Sequence, residues 1–374
     1  MNRSLIKINK WLYPASWLYG AGVWLRNKMF DWGIYKEHSY DIPIICIGNI
    51  TVGGTGKTPH TEYLIRLLQK SYQVAVLSRG YKRKSKGFIL AKEDTSVKRI
   101  GDEPLQMKQK FPNIHIAVDE NRCHGIEELC KDNIASGTEV ILLDDAFQHR
   151  HVKAGLNILL VDHSRLICDD KLLPAGRLRE PESGKYRAQI VIVTKCPKDM
   201  SPMDFRVATK QMELYAYQQL YFTTMNYGKL HPLFNGGNDY PLSQIHPNVH
   251  ILLVTGIASP KHLEHDLNAY NSNIHPLTFK DHHDFTTKDI KLIKQAFDEL
   301  PEGKRMIITT EKDAVRLKHN PHIDESIKPY IYVLPIEIAF LQGQEESFNQ
   351  NIIEYVRKNP KNSRLSERAD AYTT

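Results

Sequence analysis

The sequence predicts an α/β chain built on a parallel sheet, and three observations predict it. From residue 42 onward, short apolar runs alternate with helical patterns. The run Ile42–Ile47 leads into a glycine-rich stretch and then an amphipathic segment. A later run, Val140–Leu143, ends in two adjacent aspartates. Composition fits such a fold: 41% hydrophobic and 25% charged residues exclude a mostly disordered chain. At 374 residues, two domains with separate cores are expected.

In chain order, the first 32 residues stand apart. They hold all four tryptophans (Trp11, Trp17, Trp24, Trp32), interrupted by Arg3, Lys7, Lys10, Arg26 and Lys28. No apolar run reaches the roughly 18 residues of a spanning helix. A secretory leader would need an unbroken apolar core. The pattern predicts a hairpin or kinked helix at a membrane interface, rings at headgroup depth and cations toward anionic lipid. Pro14 and the Gly20–Gly22 region would supply the bend. The other reading is an amphipathic helix packed on the protein's own core.

Candidate strands follow at Ile42–Ile47, Val74–Leu77, Ile114–Val118, Val140–Leu143, Ile158–Val161 and Ile190–Thr194, with helices such as Thr58–Gln69 and Glu103–Lys110 between them. The polar stretch Gly228–Gln244 reads as a boundary. The later candidate strands are Tyr221–Asn226, just before it, and His250–Thr255, Pro276–Phe279, Met306–Thr310 and Ile331–Leu334 after it. From Arg357 the chain is polar and basic, a tail expected to fray. The net charge of +7 is too mild to suggest a nucleic-acid partner. Cys46, Cys123, Cys130, Cys168 and Cys196 show no metal-site spacing and read as free thiols.

The strongest chemical signal is the run Gly48–Pro59, GNITVGGTGKTP. Its context, strand then glycine turn then helix, is that of a phosphate-binding loop. Backbone N–H groups of Gly53, Gly54, Thr55 and Gly56 would face phosphate oxygens at a helix N-terminus. Lys57 would reach the terminal phosphates, and the Thr58 hydroxyl would ligate Mg²⁺. Thr51 stands where the usual pattern has its first glycine, so the loop is a variant. Asp144 or Asp145, at the end of an apolar strand, would lie beside the metal. Thr194-Lys195 resembles the start of a guanine-reading motif. Pro197 replaces the aspartate that would read the base, so ATP is favoured over GTP.

Further motifs converge: Ser78-Arg79-Gly80-Tyr81, Gly101-Asp102-Glu103-Pro104, Asp144–Arg150, Leu173–Pro181, Asp281–Phe285 and Thr310–Ala314. Together with the loop they resemble the tetraacyldisaccharide 4'-kinase (lipid A 4'-kinase, LpxK) family, in matching order over about residues 10–340. Ala146 departs from the family's usual glycine. The resemblance implies a P-loop NTPase-like core at 33–227, a smaller C-terminal α/β domain at 228–356 and a basic tail at 357–374. Residues 1–32 would form the membrane-interfacial segment. It implies transfer of phosphate from ATP, with Mg²⁺, to the 4'-hydroxyl of a lipid A disaccharide 1-phosphate, giving lipid IVA. The expected location is the cytoplasmic face of the bacterial inner membrane, held peripherally on anionic lipid.

Roles follow residue by residue from the resemblance. Asp102 would be the base for the sugar hydroxyl, with His282 as its partner; on residue type alone, Asp102 reads equally as a helix cap and His282 as a turn residue. Asp145, then Asp144, would contact Mg²⁺. Glu180 would join the metal shell or stand in a surface turn. Arg79, Tyr81, Arg122, Gln148 and His149 would meet the disaccharide or the phosphates, though each has a structural reading too. Residues 79–99 hold eight basic against two acidic side chains, read as a solvated loop or as a capture patch for anionic lipid. A competing reading is a membrane-associated ATPase acting as a switch or assembly factor. It accounts for the loop but not for Asp102 and His282.

Overall fold

The computed structural model describes residues 8–234, 237–257 and 260–359. It divides into two compact units. The first comprises 1–100, 107–225 and 338–374; the second comprises 101–106 and 226–337. The first unit therefore takes in residues beyond 337, which sequence alone assigns to the C-terminal domain. Its closing helix explains the difference: Phe348 is buried and packs against the rings of Tyr63 and, edge to face, Tyr221 of the first unit.

In the first unit, helix α1 (Tyr13–Asp31) precedes β1 (Ile44–Gly48), α2 (Lys57–Leu68), β2 (Val74–Ser78), β3 (Ile89–Leu90) and α3 (Val97–Ile100). Helix α4 (Asp102–Lys110) begins in the second unit and ends in the first. There follow β4 (His115–Val118), α5 (Arg122–Leu129), β5 (Val140–Asp144), β6 (Leu156–Asp162), β7 (Ile190–Thr194), α6 (Pro202–Met212) and β8 (Gln219–Tyr227). The nine-stranded sheet runs β14-β8-β7-β6-β1-β5-β2-β4-β3, where β14 is Ile336–Phe340. Strand β1 pairs in parallel with β5 on one side and β6 on the other. Strands β1, β2, β5 and β7 are buried at every position, which is why they read as continuous apolar runs.

The second unit carries β9 (His231–Pro232), β10 (His250–Thr255), α7 (Pro260–Asn268), β11 (Ile274–Thr278), α8 (Thr287–Asp298), β12 (Arg305–Thr310), α9 (Glu311–Lys318) and β13 (Ile331–Leu334). Its sheet runs β11-β10-β12-β13-β9. Apolar clusters cover both faces: Ile290, Ile293 and Phe297 of α8 belong to one, Leu263 and Leu267 of α7 to the other. After β14, helix α10 (Glu345–Arg357) returns to the first unit. The two-residue strands β3 and β9 are too short to leave a periodic signal in sequence.

One expectation is corrected. Among its described residues the N-terminal segment has a short 3-10 turn, Lys10–Leu12, leading into one helix from Tyr13 to Asp31 and no hairpin. Pro14 lies in its first turn, where a missing N–H breaks no helical bond. The helix continues through Gly20 and Gly22; a Cβ at Gly20 would lie 2.8 Å from Leu172 Cδ1, so the glycine permits close packing. The expected fraying of the tail falls largely on residues outside the described ones. All five cysteines are free, as expected.

The end of β1 is the most constrained point of the first sheet. A Cβ on Gly48 would lie 2.7 Å from Phe147 Cβ and 3.0 Å from Phe147 N. Gly48→Ala must push the strand end away from the segment that follows β5. The expected loss is about 1–3 kcal/mol of unfolding free energy, read by urea denaturation. An unchanged midpoint would contradict the packing described here.

Candidate functional site

The register Ile47↔Asp144 sets the end of β1 beside the end of β5. Both strands run parallel, so the glycine-rich loop after β1 and the paired aspartates after β5 leave the same edge of the sheet. Ligands of open α/β sheets bind at this kind of edge, where neighbouring connections diverge.

The loop is braced from several sides. Asn49 Nδ2 donates to Thr55 Oγ1 at 2.8 Å, with both residues buried. The Thr194 hydroxyl donates to the Thr55 carbonyl at 2.9 Å. Gly56 adopts φ 84°, a left-handed conformation that turns the chain into α2. His60 holds that turn: its Nδ1 contacts the Gly56 carbonyl at 2.7 Å and its Nε2 the Thr223 hydroxyl at 3.0 Å. Burial pushes the His60 imidazole down to about 4, so it is neutral. Sequence reasoning missed His60, although its place four residues after Gly56, one helical turn on, was a usable signal. It also read Lys195 only as a fragment of a base-reading motif. In the structure the Lys195 ammonium donates to the Gly54 carbonyl and, at 2.9 Å, to Asp162.

The two aspartates differ in setting. Asp144 is buried and accepts from the Thr61 hydroxyl at 3.3 Å. Asp145, at φ 47°, turns its partly exposed carboxylate toward Lys57 (3.7 Å) and Arg179 (3.1 Å). Burial alone would raise its pKa, but the charges of Lys57, Arg179 and Arg122 outweigh that and hold the carboxyl below the ordinary range. An ionised, accessible oxygen beside the loop lysine suits a hard cation such as Mg²⁺. Thr58 stands next to Lys57 in the first turn of α2. Glu180 is buried, which removes the surface-turn reading. Its Oε2 accepts from Arg187 at 2.7 Å, and among the described residues its buried Oε1 has no partner. That orphaned carboxylate oxygen also fits a cation. Among the described residues, no three or more His, Cys, Asp or Glu side chains are grouped so that they alone could hold a metal ion. A Mg²⁺ ion that takes most of its ligands from phosphate and water needs no such cluster.

Basic and polar side chains gather along the same edge. Arg79 directly follows β2, Arg122 opens α5 after β4, and Gln148 and His149 follow β5. Arg122 is buried, with its Nη1 donating to the Asp119 carbonyl at 3.0 Å and its Nε without a partner among the described residues. Gln148 Nε2 donates to the Asn49 carbonyl at 2.6 Å. His149 is pushed down to about 4, first by burial and then by Arg122, His151, Arg26 and Arg79. It is therefore a neutral ring amid cations. Arg26 of α1 joins this group by donating to the Gln148 carbonyl at 2.9 Å. Sequence reasoning assigned Arg26 to lipid; a helical pattern alone does not say which face a cation takes. Tyr81 is 59% exposed, under the Lys82 ammonium at 5.9 Å. Of the basic stretch 79–99, Arg83 pairs with Glu120.

In the second unit Asp102 and His282 meet. His282 Nδ1 lies 2.8 Å from Asp102 Oδ2, although 180 residues separate them. Asp102 is buried in the first turn of α4, and Arg316 Nη2 donates to the same Oδ2 at 2.9 Å. Burial would raise the Asp102 pKa, but the His282 hydrogen bond and the charges of Arg316 and Lys312 hold it below the usual carboxylate range. His282 stands at φ 58°, a left-handed conformation in a connection that follows β11.

The geometry thus comprises a braced phosphate-binding loop with an ionised aspartate, a basic cluster, and a carboxylate–imidazole pair. The LpxK family, described as tetraacyldisaccharide-1-P 4'-kinase, matches residues 8–357. A tetraacyldisaccharide 4'-kinase of Phocaeicola vulgatus is 72% identical over 98% of this chain and all of the relative. One from Flavobacterium johnsoniae is 44% identical over 94% of this chain and 98% of its own. A crystal structure of LpxK from Aquifex aeolicus in complex with ATP has a TM-score of 0.69 and 27% identity, covering 92% of this chain and 98% of that one. With the family matched over nearly its whole length, the chain belongs to the LpxK, or tetraacyldisaccharide-1-P 4'-kinase, family.

Proposed function

We propose that this chain transfers the γ-phosphoryl group of ATP to the 4'-hydroxyl of a tetraacyldisaccharide 1-phosphate, yielding lipid IVA. The observation that carries the reading is the Asp102–His282 pair at 2.8 Å in a chain with a complete phosphate-binding loop. A nucleotide switch that delivers phosphate to water has no need of a base for an alcohol.

A sugar hydroxyl attacks phosphorus well only as its proton leaves. Asp102, kept ionised, accepts that proton. The acceptor O–H bond breaks, an O–P bond forms, and the bond from γ-phosphorus to the bridging oxygen breaks, its electron pair leaving with ADP. Lys57 and the N–H groups of Gly53, Gly54, Thr55 and Gly56 stabilise the charge that spreads over the phosphoryl oxygens. Bound Mg²⁺ would neutralise part of the same charge, held by Asp145 with Thr58, Asp144 and Glu180 as the remaining candidate ligands. Arg79, Tyr81, Arg122, Gln148 and His149 are proposed to bind the disaccharide and its phosphate. Arginine offers the bidentate contacts that a phosphate takes, and neutral His149 and Gln148 offer hydrogen bonds to hydroxyls.

Helix α1 is the proposed membrane contact. No helix among the described residues is long and apolar enough to cross a bilayer. Trp11 is 93% exposed, and Trp17, Leu18, Trp24, Leu25 and Trp32 are also largely exposed. The other flank is anchored to the protein: Ser16 donates to the Leu172 carbonyl and Tyr19 to the Arg179 carbonyl. Arg26 faces Gln148 and Lys28 pairs with Asp31, so aromatic insertion carries more of this contact than cationic charge does. The proposed setting is the cytoplasmic face of the inner membrane, where the lipid substrate presents its head group.

Asp102→Asn is expected to cut turnover about 10²- to 10⁴-fold with ATP affinity retained, read by transfer of labelled γ-phosphate to the tetraacyl disaccharide in detergent micelles. Labelled phosphate released only to water by the unaltered protein would favour the switch reading. Lys195→Met removes a brace from the Gly54 carbonyl. It should weaken ATP binding about tenfold by calorimetry, a loss of about 1.4 kcal/mol; unchanged affinity would argue against a loop that needs this support. Replacing Trp11, Trp17 and Trp24 together by Ser should lower binding to anionic phosphatidylglycerol vesicles about tenfold or more. Undiminished binding would remove α1 as the membrane contact.

A further inference from the structure

The basic stretch 79–99 has no part in the proposed phosphoryl transfer beyond Arg79 and Tyr81, yet it is built rather than loose. The Arg83 side chain is 5% exposed; it turns inward to pair with Glu120 and to donate to the Val118 carbonyl at 3.5 Å. Glu120 also accepts from Gly87 N at 3.0 Å, so one carboxylate ties both ends of 83–87. Lys84 N donates to the Lys98 carbonyl at 2.8 Å and the Ser85 hydroxyl to the Arg99 carbonyl, which lays 84–85 alongside 98–99. With Arg83 and Ser85 turned in, Lys84 and Lys86 are left exposed, and so are Lys98 and Arg99 on the adjoining segment. We propose that Lys84, Lys86, Lys98 and Arg99 form a second membrane contact, an electrostatic one, that takes the phosphate headgroups of anionic phospholipid while α1 inserts its rings. This rests on the reading of the chain as one that acts at a membrane surface.

The charge balance calls for an anionic partner. Residues 79–99 hold eight basic against two acidic side chains, Glu93 and Asp94. Arg83 is neutralised by Glu120, but among the described residues none of the four proposed cations has a carboxylate partner. A freely solvated run of like charges spreads apart. This one is held together by its backbone, so counter-charge from outside relieves the repulsion. The exposed lysines are point charges on flexible stems, which suits many mobile headgroups. One fixed phosphate is better matched by a planar, buried guanidinium such as that of Arg122.

The sheet register joins this face to α1. Strands β2 and β5 are parallel with Leu77 opposite Leu143, so the segment after β2 leaves the sheet beside the segment after β5. Helix α1 grips that second segment: Arg26 donates to the Gln148 carbonyl at 2.9 Å, and Arg150 donates to the Asn27 carbonyl at 3.1 Å. Exposed Trp24 and Leu25 directly precede Arg26. The cations of α1 itself are engaged within the protein, Arg26 with Gln148 and Lys28 with Asp31 at 3.4 Å. The helix therefore supplies apolar insertion and the loop supplies charge, two signals that together anchor a peripheral protein better than either alone. Exposed rings on the same edge favour a bilayer over a soluble polyanion.

Vesicle binding by the full chain tests this. The quantity read is the ratio of affinity for phosphatidylcholine vesicles holding about 30 mol% phosphatidylglycerol to affinity for pure phosphatidylcholine vesicles. The unaltered protein should favour the anionic vesicles about tenfold or more, and the preference should shrink as salt is raised. Lys84→Gln, Lys86→Gln and Lys98→Gln together should lower the ratio about tenfold or more, since each lysine near an anionic leaflet contributes about fivefold. Binding to the neutral vesicles should change less than about twofold in that variant. Arginine at the same three positions keeps the charge and should leave the ratio within about twofold of the original. The Trp11, Trp17 and Trp24 to Ser variant should instead weaken binding to both vesicle types and keep the ratio. A ratio unmoved in the glutamine variant, or equal affinity of the unaltered protein for the two vesicles, overturns the proposal. So does a raised KM of the glutamine variant for the tetraacyl disaccharide in neutral detergent micelles, which would assign the lysines to the substrate's own phosphate. Undiminished binding of the tryptophan variant would overturn α1 as a contact, with the ratio still decided by the lysine variant.

Discussion

Strand β1 pairs in parallel with β5 and β6, and the nucleotide half of the chemistry depends on that pairing. Parallel strands send their connections off the same edge, so residues about 90 positions apart, Lys57 and Asp145, come within 3.7 Å. Burial of every residue in β1 and β5 makes this register costly to shift. Gly48 belongs to the same constraint, since the approach of Phe147 leaves no room for a side chain at the strand end. The loop itself is then held by contacts from β7, α2 and β8 through Thr194, His60 and Thr223. A loop braced in this way presents its N–H groups without having to be ordered by the nucleotide, which lowers the entropic cost of binding.

The second unit solves a different problem. The proposed base must be ionised at working pH yet shielded enough for its charge to act, and burial by itself would protonate it. Asp102 is buried but has a guanidinium and an imidazole nitrogen on one oxygen. The compensating groups come from two segments, the connection after β11 and helix α9. The motif around Lys312 thus has a local chemical reason to accompany the one around His282. Both act on one carboxylate.

Much of the fold was legible in sequence, for physical reasons that differ by element. Parallel strands buried on both faces must be apolar throughout, so β1, β2, β5 and β7 announce themselves. The loop is legible because glycine conformations, a lysine and a helix start occur in a fixed local order. Strand β14 and helix α10 were not assigned to the first unit, because a polar boundary at 228–244 says nothing of a chain that later returns. Pro14 does not interrupt α1, because a proline in a first helical turn breaks no hydrogen bond.

The identity of the chemistry was therefore present in residue types and their order: a phosphate-binding loop, paired aspartates, and an aspartate and histidine in separate motifs. Those features follow from local geometry and composition, which a linear sequence carries in full. Which groups finally touch was decided by tertiary structure alone. Arg26 donates to the Gln148 carbonyl, His60 locks the loop, Glu180 is buried beside Arg187, and Lys312 and Arg316 flank His282 and Asp102. Each of these depends on the direction of a side chain and on a partner distant in sequence. Such pairings come from strand register and helix packing, which no local pattern specifies.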